Sequence, residues 1–111
     1  MRFPDFIDAL PSVALPFPEE IVSARAIRSD RGLVIFFTFH MAMDLPAHSH
    51  GAQWGAVVAG EIEFTIGDHT RIYRPGDSYS IASGVVHSAR IAAGTRVIDA
   101  FEEADRYPLR G

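Results

Sequence analysis

The sequence predicts an all-β fold, an antiparallel sandwich or barrel, on three observations. Short apolar segments recur through residues 21–103, each bounded by Gly, Pro, Asp or Ser. The cleanest, Glu61-Ile62-Glu63-Phe64-Thr65-Ile66, alternates with period two and places Ile62, Phe64 and Ile66 on one inward face. The longest apolar run, Leu33 to Phe37, has the length of a strand, and no stretch of about 18 apolar residues could form a membrane-spanning helix.

Taken in order, residues 1–20 form an arm rich in proline and aromatics: Pro4, Pro11, Pro16 and Pro18 with Phe3, Phe6 and Phe17. A short helical turn fits after Pro4, with Phe6, Ile7 and Leu10 along one side, and Pro11 stops it. Such apolar content suits an arm packed over the body or over a neighbour. The barrel, residues 21–103, then reads as strands at Ile21–Arg28, Leu33–Met41, Gln53–Ala59, Glu61–Ile66, Thr70–Arg74, Ser78–Ile81, Val86–Ile91 and Arg96–Phe101. Asp30-Arg31-Gly32, Gly60, Gly67-Asp68, Pro75-Gly76-Asp77, Ser83-Gly84 and Ala93-Gly94 supply the turns. Leu33–Met41 is apolar on both faces, so alternation does not select which of Phe36, Phe37, Phe39, Met41 and Met43 line the interior. The tail, residues 104–111, is charged and is expected to fray after Tyr107.

Composition narrows the function. At 111 residues with 48% hydrophobic content, the chain makes one globular domain, residues 1–111. All ten basic residues are Arg, scattered from Arg2 to Arg110, and the net charge is −4. With no basic cluster, nucleic acid is not an expected partner, nor is a membrane. The absence of Lys excludes Schiff-base chemistry. The absence of Cys excludes disulfides, thiolate nucleophiles and thiolate zinc sites. The N-terminus carries no apolar signal segment, so a cytoplasmic location is expected.

Chemistry concentrates at His48, His50, Gln53 and His87. Residues two apart on a strand share a face, so His48 and His50 can converge. Imidazole nitrogens and an amide oxygen suit a divalent first-row metal. Two other histidines are set aside: His69 follows a turn and is expected in solvent, and His40 reads as structural, with support of the metal ligands as its alternative. Glu61 and Glu63 belong to the outward face. Tyr79 is the remaining candidate for a pocket hydroxyl, against the plainer reading of a packed aromatic. No Ser/His/Asp arrangement or paired carboxylates stand out.

Two motifs in register resemble those of the cupin superfamily. His48-Ser49-His50-Gly51-Ala52-Gln53, six residues and Gly60 look like the first; Pro75-Gly76, five residues and Ala82-Ser83-Gly84-Val85-Val86-His87 look like the second. The resemblance spans about residues 30–101. It implies a double-stranded β-helix, a jelly-roll-like barrel, with His48, His50, Gln53 and His87 holding one metal ion inside. Strand parity agrees, since His87, Ala89 and Ile91 then face inward, as do Gln53, Gly55 and Val57. Trp54 faces out and needs cover, which with the family's habit suggests a homodimer. Three departures stand out: Gln53 replaces the usual Glu with one residue fewer before it, Ala82 replaces Pro, and Ile91 stands where Asn is common.

The Gln53 departure alters the charge. Three neutral imidazoles and an amide leave a divalent ion near +2 rather than +1, which favours Lewis acidity and an anionic ligand. On this basis Gln53→Glu is expected to tighten metal binding and weaken anion binding. Four protein ligands leave one or two positions open on Fe, Mn, Ni, Co, Cu or Zn. The sequence therefore points to a metal-dependent enzyme, dioxygenase- or isomerase-like and so a candidate oxidoreductase, acting on a small chelating, anionic substrate. The alternative is a non-catalytic metal and small-molecule binding or sensing protein.

Overall fold

Alternation in the chain resolves into two antiparallel sheets that enclose one apolar core. The computed structural model describes residues 1–110. After a four-residue helix α1 (Asp5–Asp8), the strands are β1 (Val22–Ser29), β2 (Gly32–Phe39), β3 (Met43–His48), β4 (Gln53–Ala59), β5 (Ile62–Ile66), β6 (His69–Tyr73), β7 (Ser78–Ile81), β8 (His87–Ile91) and β9 (Arg96–Phe101). One sheet has the order β1-β2-β9-β4-β7 and the other β3-β8-β5-β6. Strands far apart in sequence are thus neighbours, the mark of a jelly-roll-like barrel rather than a meander.

Inward faces follow from side-chain period. On β2, Leu33, Ile35, Phe37 and Phe39 are buried, and on β9 Val97, Asp99 and Phe101. Each fully buried aliphatic side chain contributes about 1.5–3 kcal/mol relative to exposure. The doubly apolar β2 is explained by the arm: Phe3 is buried and meets Phe36 on the outer face, edge to face, at 5.6 Å. Phe37, Phe39 and Met43 line the interior, whereas Met41 is exposed. Phe6 on α1 faces solvent, so the helical turn does not bury the side expected of it.

Two expectations require correction. Strand β3 was not anticipated, because Asp44 and Pro46 break its apolar pattern. The tail does not fray after Tyr107: Val13 bridges Leu109, the Ala14 N–H donates to the Pro108 carbonyl at 2.9 Å, and the Arg110 N–H donates to the Ser12 carbonyl at 2.9 Å. Arm and tail form a clasp, and Leu15, Phe17 and Tyr107 from it enter the wall of the interior cavity.

Gly60, the glycine of the first motif, joins β4 to β5 at φ +80. A Cβ there would lie 2.5 Å from Cα of Thr95. Thr95 is fully buried, and its hydroxyl both accepts from the Glu61 N–H and donates to the Glu61 carbonyl, each at 3.1 Å. Two strand connections are locked together at the point where only glycine fits.

Candidate metal centre

His48, His50 and His87 converge beside the interior cavity, which His48 and His50 help to line, each delivered by a different device. His87 opens β8 and is 2% exposed. His48 ends β3, where the pairing runs Leu45↔Ala89 and then His48↔His87. Pro46 and Ala47 on one side oppose Ser88 alone on the other, so the strand carries a bulge at Pro46–Ala47. Without it, parity would turn Ala47 inward and His48 toward solvent. His50 is not on a strand, so the expectation that His48 and His50 converge by strand alternation is incorrect. The His50 loop is pinned instead: the Gly84 N–H donates to the His50 carbonyl at 2.9 Å, and the Gly51 N–H donates to Glu103 Oε1 at 2.7 Å.

The imidazoles share one hydrogen-bonding scheme. Nδ1–H of His48 donates to the Pro46 carbonyl at 2.9 Å, that of His50 to the Gly51 carbonyl at 2.7 Å, and that of His87 to the Val85 carbonyl at 2.9 Å. A carbonyl only accepts, so each Nδ1 carries the proton and each Nε2 keeps its lone pair. His50 Nε2 and His87 Nε2 face each other at 3.2 Å with no proton between them. One ring nitrogen from each of the three histidines lies within 4.8 Å of the others. Two nitrogens each about 2.1 Å from a shared ion would be about 3.0 Å apart at 90° and about 3.4 Å apart at a tetrahedral angle. The His50–His87 separation falls between these values, and a cation would relieve their opposed lone pairs. The three histidines fit a metal ion.

Burial is the main reason why the pKa values of His50 and His87 lie below the ordinary histidine value; the neighbouring imidazoles add to the shift. Both are therefore neutral at physiological pH, the state that metal binding needs. The cavity behind them has a volume of about 50 Å³ and is walled mainly by apolar side chains.

Gln53 is buried on β4 and lines the cavity. Beside it lies Asp99, a carboxyl that sequence inspection overlooked. Asp99 is 4% exposed and accepts from the Tyr79 hydroxyl at 2.6 Å. Burial raises its pKa to about 6, and the bond from Tyr79 opposes the rise. At neutral pH it is mostly ionised. A signal for Asp99 was present: between Val97 and Phe101 on a period-two strand, it had to face inward.

Tyr79 answers both of its readings. Its ring packs on Phe64 at 4.7 Å and Tyr73 at 5.5 Å, while its hydroxyl reaches Asp99. Burial, then the Asp99 charge, push its pKa up, so it remains a donor. His40 supports none of the ligands; it is exposed and meets the Ser23 hydroxyl at 2.8 Å. His69 opens β6 in solvent beside Asp68. Glu61 pairs with Arg74 at 3.2 Å, and neither it nor Glu63 enters the cavity.

Comparison with known proteins agrees with this geometry. The sequence matches the Cupin domain family over residues 37–101, more than half of the chain. No curated protein matches it. An RmlC-like cupin from Shewanella frigidimarina superposes with a TM-score of 0.76 at 19% identity, covering 89% of this chain and 88% of that one. KdgF from a Halomonas species gives a TM-score of 0.69 at 18% identity, covering 80% and 86%. The oxalate decarboxylase of Bacillus subtilis, described with Mn(II) centres, gives 0.71 at 17% identity, covering 88% of this chain and 28% of that one. Since the matched segment holds both the bulged strand and the three converging imidazoles, the chain belongs to the cupin family.

Proposed function

We propose that this cupin binds one divalent transition metal ion through Nε2 of His48, His50 and His87 and the amide oxygen of Gln53, and acts as a metal-dependent enzyme, dioxygenase- or isomerase-like, on a small chelating anion. The observation that carries the proposal is the set of three imidazoles whose ring nitrogens lie within 4.8 Å of one another, each fixed by a carbonyl at its Nδ1. A bound ion would supply Lewis acidity and a docking point for two substrate oxygens. The chain's own contribution is to exclude water with its apolar wall and to present Tyr79 and Asp99 as the polar groups behind the site. Oxalate, named for the Bacillus subtilis neighbour, is an anion of the proposed class. The donor set accepts Fe, Mn, Ni, Co, Cu or Zn.

Elemental analysis of protein purified without chelator or added metal is expected to find close to one metal ion per chain. A clearly sub-stoichiometric content would overturn the proposal. Oxygen uptake with diketones and catechols then tests turnover. The second reading is binding without turnover. Tight binding of a carboxylate with no product formed would decide for it.

The lowered pKa values of His50 and His87 set a pH dependence. Because their neutral forms persist below the usual pKa of about 6.5, metal affinity is expected to hold from pH 8 to about 6.5 and to fall below that. Calorimetry across the range checks this. Affinity that already falls steeply between pH 8 and 7 would contradict it.

We also expect a homodimer. Trp54 is 49% exposed on the outer face of β4, between Ser80 of β7 and Ala100 of β9. Trp54→Glu is expected to shift the protein to monomer in sedimentation velocity, and a monomeric unaltered protein would refute the assignment.

A further inference from the structure

Three arginines that the sequence scatters, Arg2, Arg25 and Arg96, line one cleft on the outside of the barrel. Its volume is about 360 Å³, and it lies between the N-terminal arm and the outer face of β1, β2 and β9. Register explains its floor. Ser23 of β1 pairs with Thr38 of β2, and Thr38 pairs with Arg96 of β9; one row along, Arg25 pairs with Phe36. Two strand spacings, about 10 Å, separate β1 from β9, a distance that two arginine side chains span from opposite sides of β2. Phe3 from the arm, edge to face on Phe36, adds an aromatic corner. The cleft shares no lining residue with the chamber beside the histidines, so it is independent of the metal-binding reading.

Charge on this face is uncompensated, although the chain as a whole has a net charge of −4. On the outer face of the other sheet, Arg90 of β8 stands between Asp44 of β3 and Glu63 of β5. Arg25 instead faces Phe36 and Ser12, and Arg96 faces Thr38 and Ala59, none of them acidic. Asp8, the carboxylate in the lining, is taken up by Arg2 at 3.9 Å. Among the described residues neither Arg25 nor Arg96 forms an ion pair. Both guanidiniums are nevertheless held in place. Arg25 donates from one terminal nitrogen to the Leu10 carbonyl at 3.2 Å, and Arg96 to the Gly94 carbonyl at 3.3 Å. Nε of Arg96 is covered by protein and meets no acceptor among the described residues. Such an unmet buried donor calls for an acceptor that is not part of the chain.

We propose that this cleft binds a phosphate group, gripped from both sides of β2 by the guanidiniums of Arg25 and Arg96, with Thr38 beneath it. The choice of phosphate follows from the layout. A carboxylate presents one edge of two oxygens, which a single guanidinium fork satisfies. A phosphate monoester brings nearly two charges and three acceptor oxygens, enough for forks that arrive from opposite directions. Because the guanidiniums already rest on main-chain carbonyls, little side-chain freedom remains to be lost on binding.

Calorimetry on the full chain at low salt, with phenyl phosphate and with inorganic phosphate, tests this. Saturable binding is expected, and its absence up to about 10 mM of either probe would overturn the proposal. Arg25→Gln and Arg96→Gln each keep a hydrogen-bonding side chain but lose the charge. Each is expected to weaken binding about 10-fold or more, and unchanged affinity in both would refute the site. Thr38→Glu sets a carboxylate between the two guanidiniums and is expected to abolish binding; it is the deciding variant should an arginine change prevent folding. In NMR spectra the Nε–H resonance of Arg96 is expected to move as phosphate is added. A resonance that stays in place while calorimetry saturates would put the anion elsewhere. Binding that survives both arginine changes but disappears in His50→Ala would put it on the metal centre, against the proposal. Benzoate is expected to bind at least about threefold more weakly than phenyl phosphate, and equal binding would count against phosphate. Tighter binding of phenyl phosphate than of inorganic phosphate would identify a monoester whose organic part lies against Phe3 and Phe36, and equal affinities would identify free phosphate.

Discussion

His50→Ala is expected to lower affinity for Co(II) or Zn(II) by at least about 100-fold, since losing even an outer partner of a ligand costs about 10- to 100-fold. The prediction follows from geometry. His50 Nε2 faces His87 Nε2 at 3.2 Å, and removing one ring leaves two imidazoles where three converged. His50 sits half-buried in a loop rather than in the core, so folding is expected to survive. His69→Ala, in solvent on β6, is the control and is expected to leave affinity unchanged. Chelator competition on both variants decides the matter, and equal affinities would remove the histidine cluster from the metal site.

Gly60→Ala is expected to give the largest loss of stability. Its backbone has φ +80, which costs an L-residue about 1–2 kcal/mol, and its new Cβ would stand 2.5 Å from Cα of Thr95. Overpacking of this kind costs a further 1–3 kcal/mol, roughly. A total of about 3 kcal/mol is a large share of a domain's usual reserve of about 5–15 kcal/mol. A fall in Tm of at least about 10 °C should follow. Gly94→Ala separates the two terms, because Gly94 has φ +83 but no atom within 4 Å of its added Cβ. It should show the backbone cost alone, and equal losses in the two variants would show that the Thr95 contact is immaterial.

Much of the architecture was legible because it rests on period two. Strands β4, β7 and β9 begin and end where the alternation places them, and the inward faces of β8 and β4 follow from one residue each. What escaped notice has physical reasons. Strand β3 contains a proline and a bulge, and the bulge reverses the parity that would carry His48 outward. His50 is placed by contacts from Gly84 and Glu103, distant residues that no local pattern connects to it. Asp99 belongs to no spacing motif, and its hydrogen-bond partner Tyr79 lies on another strand, β7, 20 residues earlier in the sequence. The tail seemed free because its charged residues conceal Leu109, whose partner Val13 lies at the other end of the chain.

The clasp between the two chain ends has a consequence for handling the protein. Leu15, Phe17 and Tyr107 help to wall the chamber, and the backbone bonds that hold them run from Ser12 to Arg110. A protease that trims residues 104–111 would remove Tyr107 from the chamber wall and the partners of Ser12 and Ala14, while leaving every strand of both sheets in place. Limited digestion is thus a route to widening the opening for larger ligands without removing His48, His50 or His87.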